Sequence, residues 1–158
     1  MEDYKTVLKD GEAEMIERKS RFIGYCRPVK NQDEAIDFIK SLRAQNLKLG
    51  IVTSDAKEST LLTLKHFGWE DLFDVVIGRE SSPHTKESGE PTKLALEIIG
   101  ANPKTTIMVG DAPMDYISAK NAGIENTILA STGQIEEEEL KKTSPYTVKS
   151  LNEILIIP

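Results

Sequence analysis

From residue 31 onward, short apolar runs alternate with amphipathic stretches of helical period, and this alternation constrains the fold more than any other feature. Asn31 followed by Glu34 has the spacing of a capping box, and Ala35, Ile36, Phe38, Ile39 and Leu42 recur at helical spacing behind it. Residues 47–52 read as a strand, 57–67 as a helix stopped by Gly68, and 73–77 as a strand. A polar loop over 79–90 leads to Pro91, which opens a helix to Ile99. Residues 105–109 read as a strand, 113–122 as a helix ended by Gly123, and 126–130 as a strand. A short acidic helix over 136–142, a last strand over 146–148 and a helical turn over 151–156 close the chain. Such alternation predicts a mostly parallel α/β sheet with helices on both faces.

Residues 1–30 carry a different pattern. Strand formers flank the polar run Arg18-Lys19-Ser20-Arg21, which predicts two strands, as in a hairpin. Phe22, Ile23, Tyr25 and Cys26 fall on both faces of the second strand, as in a strand inside a sheet.

Composition narrows the function classes. With 158 residues, 39% of them apolar and 29% charged, the chain has material for one core and one compact domain. That excludes a wholly disordered chain, a coiled coil and a collagen-like repeat. A net charge of −6 argues against nucleic acid as a partner. Cys26 stands alone, so a disulfide framework is not expected. No apolar run has membrane-spanning length, and no charged start leads into an apolar stretch, so a soluble cytoplasmic protein is expected.

In parallel α/β sheets, chemistry gathers beyond the carboxyl ends of the strands. Here those ends carry Thr53-Ser54-Asp55, Gly78-Arg79-Glu80, Gly110-Asp111 and Ser131-Thr132-Gly133. Asp111 and Asp115 stand one helical turn apart after an apolar strand and a glycine. Two such carboxylates can share Mg²⁺, with waters and a substrate phosphate completing the shell. The structural alternative makes Asp111 a helix cap and Asp115 a solvated first-turn acid. Thr53 and Ser54, at a strand-to-helix turn, can hold a phosphate through hydroxyl and backbone N–H groups. Their alternative is a Ser or Asp cap for helix 57–67. Lys86 can meet a phosphoryl group as a point charge or remain a solvated loop lysine. His84, His66 and the run Glu136–Glu139 read as surface or packing residues.

In this order, these pieces resemble the haloacid dehalogenase superfamily of phosphohydrolases, from about Glu34 to about Gln134. The run 49–54 is similar to the motif whose hydroxyl residue, Thr53 here, binds the transferring phosphoryl group. Residues 86–91 are similar to the lysine motif, with Lys86 in place. Residues 109–115, followed by 119–123, are similar to the acidic metal motif with Asp111 and Asp115. The resemblance implies a three-layer Rossmann-like fold and Mg²⁺-dependent phosphate chemistry on a phosphorylated small molecule. Members of that superfamily begin with a strand ending in Asp-x-Asp, which supplies the nucleophile and the acid–base group. No Asp-x-Asp occurs before Thr53.

The opening segment, roughly residues 1–43, resembles the amino-terminal end of the YigZ/IMPACT family through residues 4–7, 11–14, 19–23, Pro28-Val29 and 34–39. Together the two resemblances imply a chimera, with segment 1–43 replacing the first strand and cap of a phosphatase and 44–158 supplying the core. Three expectations follow. The recombined domain is inactive for want of a nucleophile and keeps a partial phosphate and Mg²⁺ site at Thr53, Ser54, Lys86, Asp111 and Asp115. The alternatives are an active Mg²⁺-dependent phosphomonoesterase and an interaction module that pairs copies through its amino-terminal strands. Strand 22–29 is expected inside the sheet beside 47–52.

Overall fold

The computed structural model describes residues 11–17, 20–26, 32–131 and 135–149. Strands β1 (Gly11–Glu17) and β2 (Ser20–Cys26) pair antiparallel, from Gly11 opposite Cys26 to Glu17 opposite Ser20. Helix α1 (Gln32–Ala44) follows, then β3 (Gly50–Val52) and α2 (Lys57–Phe67). Next come β4 (Val75–Ile77), α3 (Glu90–Ile99), β5 (Ile107–Gly110) and α4 (Pro113–Asn121). The described chain closes with β6 (Asn126–Ala130), α5 (Glu137–Leu140) and β7 (Thr147–Val148). The expected cap Asn31 and the expected turn over 151–156 lie outside the described residues. No helix among the described residues is long and apolar enough to cross a membrane.

The α/β architecture is as the alternation predicts, and every pairing beyond the hairpin is parallel. β3 pairs with β4, Val52 opposite Ile77, while β5, β6 and β7 form a second parallel set with Gly110 opposite Leu129. Strands are shorter than the apolar runs suggest. Asn102 explains one case: its side chain accepts the Lys104 N–H and closes a turn over Pro103–Thr105, which delays β5 to Ile107.

The amino-terminal strand pair forms, but not where it was expected. Among the described residues β2 pairs with β1 alone and β3 with β4 alone, so the strand expected over 22–29 does not enter the sheet beside 47–52. Residues 27–29 lie outside the described residues. The physical reason is local. Pairing Glu17 with Ser20 closes a short loop at little entropic cost, so β1 is the partner nearest at hand for β2.

Helix α3 holds the two parallel sets together. Ala95 packs with Val75 and Ile77, joined by Val52, Leu94 and Ile99. Its neighbour Leu96 packs with Ala119, Ala122 and Ile124, joined by Ala101 and Met108. One helix therefore shares two small cores. All of β4 is buried, whereas Gly50 on β3 and Val109 on β5 are exposed. Among the described residues, no strand covers the second edge of β3 or β5.

Candidate functional site

The carboxyl ends of β3 and β5 come together across that gap. The Ser54 hydroxyl reaches the Met114 sulfur at 3.8 Å. Behind it, the Thr53 N–H donates to the Ile77 carbonyl at 2.9 Å and extends the parallel ladder by one residue. The Thr53 hydroxyl accepts the Asp55 N–H at 3.1 Å, which turns the chain sharply after the strand. Ser54 and Asp55 are exposed.

Neither Ser54 nor Asp55 caps α2. The cap position belongs to Ala56, which has no side-chain bond to the helix. Instead, Glu80 on the neighbouring strand end accepts the Lys57 N–H at 2.9 Å. Hydrogen bonds hold the Glu80 carboxyl below the usual range, first its own backbone N–H and then that of Lys57. Sequence reasoning missed this cap, because a glutamate 23 residues away leaves no local pattern.

Asp111 and Asp115 separate into different roles. Asp115 is 4% exposed, and its Oδ2 accepts the N–H groups of Asp111 and Ala112, each at 3.0 Å. Its Oδ1 pairs with the Lys86 ammonium at 2.5 Å. Asp115 is therefore neither a solvated first-turn acid nor an acid open to solvent. The Asp111 side chain does not cap α4, because Asp115 does that work, and Asp111 is exposed at the strand end. Lys86, expected in a loop, begins the helical turn Lys86–Ser88, and its side chain is 15% exposed. The structure thus brings Lys86, Asp111 and Asp115 into one cluster, with Thr53 and Ser54 on the facing strand end.

For Mg²⁺, no group of three or more His, Cys, Asp or Glu side chains converges among the described residues. Mg²⁺ does not require one, since it commonly takes one or two carboxylates and fills its shell with water and phosphate oxygens. Asp111 fits that demand, whereas both oxygens of Asp115 already have partners. Thr132 and Gly133 lie outside the described residues. The remaining candidates are structural or superficial. His66 is exposed and lies edge-on to Phe67 at 4.9 Å, His84 is exposed, and Glu137 pairs with Lys141.

Comparison with known proteins bears on this cluster. The profile of "Haloacid dehalogenase-like hydrolase" matches residues 4–129. Among curated relatives, the protein named "Pyrophosphatase PpaX" from Halalkalibacterium halodurans is 29% identical over 140 residues, 89% of this chain and 65% of the relative. The Bacillus pumilus protein of the same name is 31% identical over 129 residues, 82% of this chain and 60% of the relative. The chain thus spans about half to two thirds of the length of the curated relatives it matches. Among solved structures, a HAD phosphatase from Thermococcus onnurineus superposes with a TM-score of 0.67 at 30% identity, covering 77% of this chain and 55% of that one. A putative haloacid dehalogenase-like hydrolase from Bacteroides fragilis gives 0.68 at 25% identity, covering 73% and 55%.

These matches correct two expectations. The profile runs from residue 4 straight through α1, so it gives no support to a separate YigZ/IMPACT ancestry for residues 1–43 or to a junction in that helix. The expectation of a recombined, inactive domain is overturned as well. Its relatives carry the names of pyrophosphatases, and its structural neighbours include phosphatases.

Proposed function

The chain belongs to the haloacid dehalogenase-like hydrolases, and on that premise we propose that it serves as a Mg²⁺-dependent phosphatase, cleaving a phosphoric ester or anhydride. One observation carries the reading. Capping of α2 and α4 is done by Glu80 and Asp115, which leaves Thr53, Ser54 and Asp111 at the strand ends without a structural duty as caps.

In this reading, the Thr53 hydroxyl donates to a phosphoryl oxygen while its own oxygen keeps the Asp55 N–H. The Ser54 hydroxyl can turn from Met114 to the same anion. Lys86 adds a fixed positive charge where negative charge lies on the phosphoryl group. Asp111 is the carboxylate that would hold Mg²⁺; when bound, the ion neutralises phosphoryl oxygens as charge shifts toward the leaving group. These residues bind and polarise the phosphoryl group. They are not the attacking group: hydrolysis adds the oxygen of water to phosphorus while the leaving oxygen takes up a proton, and no Asp-x-Asp precedes Thr53 in the sequence. The name shared by the curated relatives makes inorganic pyrophosphate the first substrate to try, ahead of aryl phosphomonoesters.

The test is phosphate release from inorganic pyrophosphate and from p-nitrophenyl phosphate, with Mg²⁺ and with EDTA. Expected is Mg²⁺-dependent release that falls by about a hundredfold or more in Asp111→Asn. Release that ignores Mg²⁺, or none from either substrate, overturns the reading.

A further inference from the structure

Helix α2 carries leucine where a surface helix ordinarily carries charge. Its buried contact with the rest of the fold is Leu64, 6% exposed. Leu62 lies about 160° round the helix from Leu64. It is 62% exposed, and Leu61 beside it is 41% exposed. Glu58 lies one turn before Leu62, and Lys65 one turn after Leu61, so the four residues share one face. Glu58 and Lys65 are exposed as well. An open groove of about 340 Å³ runs along this face, bounded by Lys57 and by Glu80 from the neighbouring turn. Apolar side chains in water at such a place mark a surface that another molecule covers.

The order of the residues says which molecule. Measured from the midpoint between Leu61 and Leu62, the face reads leucine and then a charge in both directions, and the two charges are opposite. Suppose two copies of α2 pack antiparallel across a two-fold axis at that midpoint. Leu61 of each copy then meets Leu62 of the other, and Glu58 of each meets Lys65 of the other. A two-fold interface requires this self-complementarity, because each contact must occur twice with the roles exchanged. Parallel packing would instead set Glu58 against Glu58 and Lys65 against Lys65, so the charges select the antiparallel arrangement.

We propose that this face of α2 is a self-association surface, on which a second copy of the chain packs its own α2 antiparallel, with the axis between Leu61 and Leu62. Four leucines leave water on pairing and supply the attraction. The two Glu58–Lys65 pairs fix direction and register. Helix α2 is about 16 Å long, so the contact is small and the dimer is a weak one.

The experiment is sedimentation equilibrium of the full chain over about 5 to 500 µM, where a monomer–dimer equilibrium is expected. Leu62→Glu puts a charge on a side chain that the single chain already exposes, so the fold is kept, as far-UV circular dichroism checks. Each substitution counts twice in a symmetric dimer, and Leu62→Glu is expected to weaken association by about a hundredfold. Glu58→Lys and Lys65→Glu each set like charges together at both pairs and are expected to weaken it by about tenfold. Mixing these two variants restores association, because every pair between them is again of opposite sign, and the Glu58→Lys/Lys65→Glu double variant restores it alone. A wild-type chain that stays monomeric at the highest concentration overturns the proposal, and so does a dimer indifferent to Leu62→Glu. Charge variants that the mixture and the double variant both fail to rescue overturn the antiparallel register and the proposal with it.

Discussion

The hydroxyls of Thr92 and Ser118 lie 2.7 Å apart, both fully buried, where α3 crosses α4. They are the polar joint between the helix shared by the two sheets and the helix that grips Lys86. Removing one hydroxyl leaves the other buried without that partner, whereas removing both leaves a small apolar contact. Ser118→Ala is expected to cost about 1–3 kcal/mol in urea unfolding, and the Thr92→Val/Ser118→Ala pair less than the sum of the single changes. Strict additivity would show that the two hydroxyls do not depend on one another.

Acid should loosen the junction between α1 and the first parallel pair. Asp74 accepts the Leu49 N–H at 2.8 Å and the Arg43 guanidinium at 2.6 Å. The Leu49 N–H, more than Arg43, holds its carboxyl below the usual carboxylate range. A depressed folded-state value means that Asp74 contributes stability above the unfolded value and loses it as pH falls through the folded one. The window therefore lies below about pH 4. Asp74→Asn should flatten the acid limb of stability against pH in that window while changing the curve at neutral pH by a constant. An unaltered acid limb refutes the assignment.

Gly89 has φ of +80°, and a side chain there would press on the Asn121 backbone. Gly89→Ala is thus strained in conformation and in space. It should cost about 2 kcal/mol or more, since the left-handed conformation alone costs an L-residue about 1–2 kcal/mol. Gly68 provides the control. It has φ of +68° with nothing within 4 Å of its would-be Cβ, so Gly68→Ala should cost the conformational part alone. Thermal melts of the two variants compare them directly.

The sequence carried the α/β alternation clearly, because helix and strand periods differ and Gly68, Gly100 and Gly123 all sit at helix ends with positive φ. The strand-end residues were legible for the same reason: Thr53, Asp111 and their neighbours follow apolar runs directly. What was not legible is pairing at a distance. Glu80 reaching Lys57, Asn121 reaching Glu87 and Lys86 reaching Asp115 span 23, 34 and 29 residues, and no local periodicity encodes them. The placement of the strand expected over 22–29 failed for a related reason. Apolar residues on both faces state that a strand prefers burial, but not which edge it will find, and β1 was the nearest.

Ile77 and Val109 test the uneven burial of the two strand sets. Ile77 is 2% exposed on β4, while Val109 is 39% exposed on β5, beside the uncovered edge. Truncating a buried isoleucine removes its transfer energy and leaves a cavity, so Ile77→Ala should cost about 2–5 kcal/mol. Val109→Ala removes methyl groups that water already reaches, and should cost under about 1 kcal/mol. Chemical denaturation of both variants gives the comparison. Should Val109→Ala prove as costly as Ile77→Ala, the exposure of Val109 on β5 is refuted.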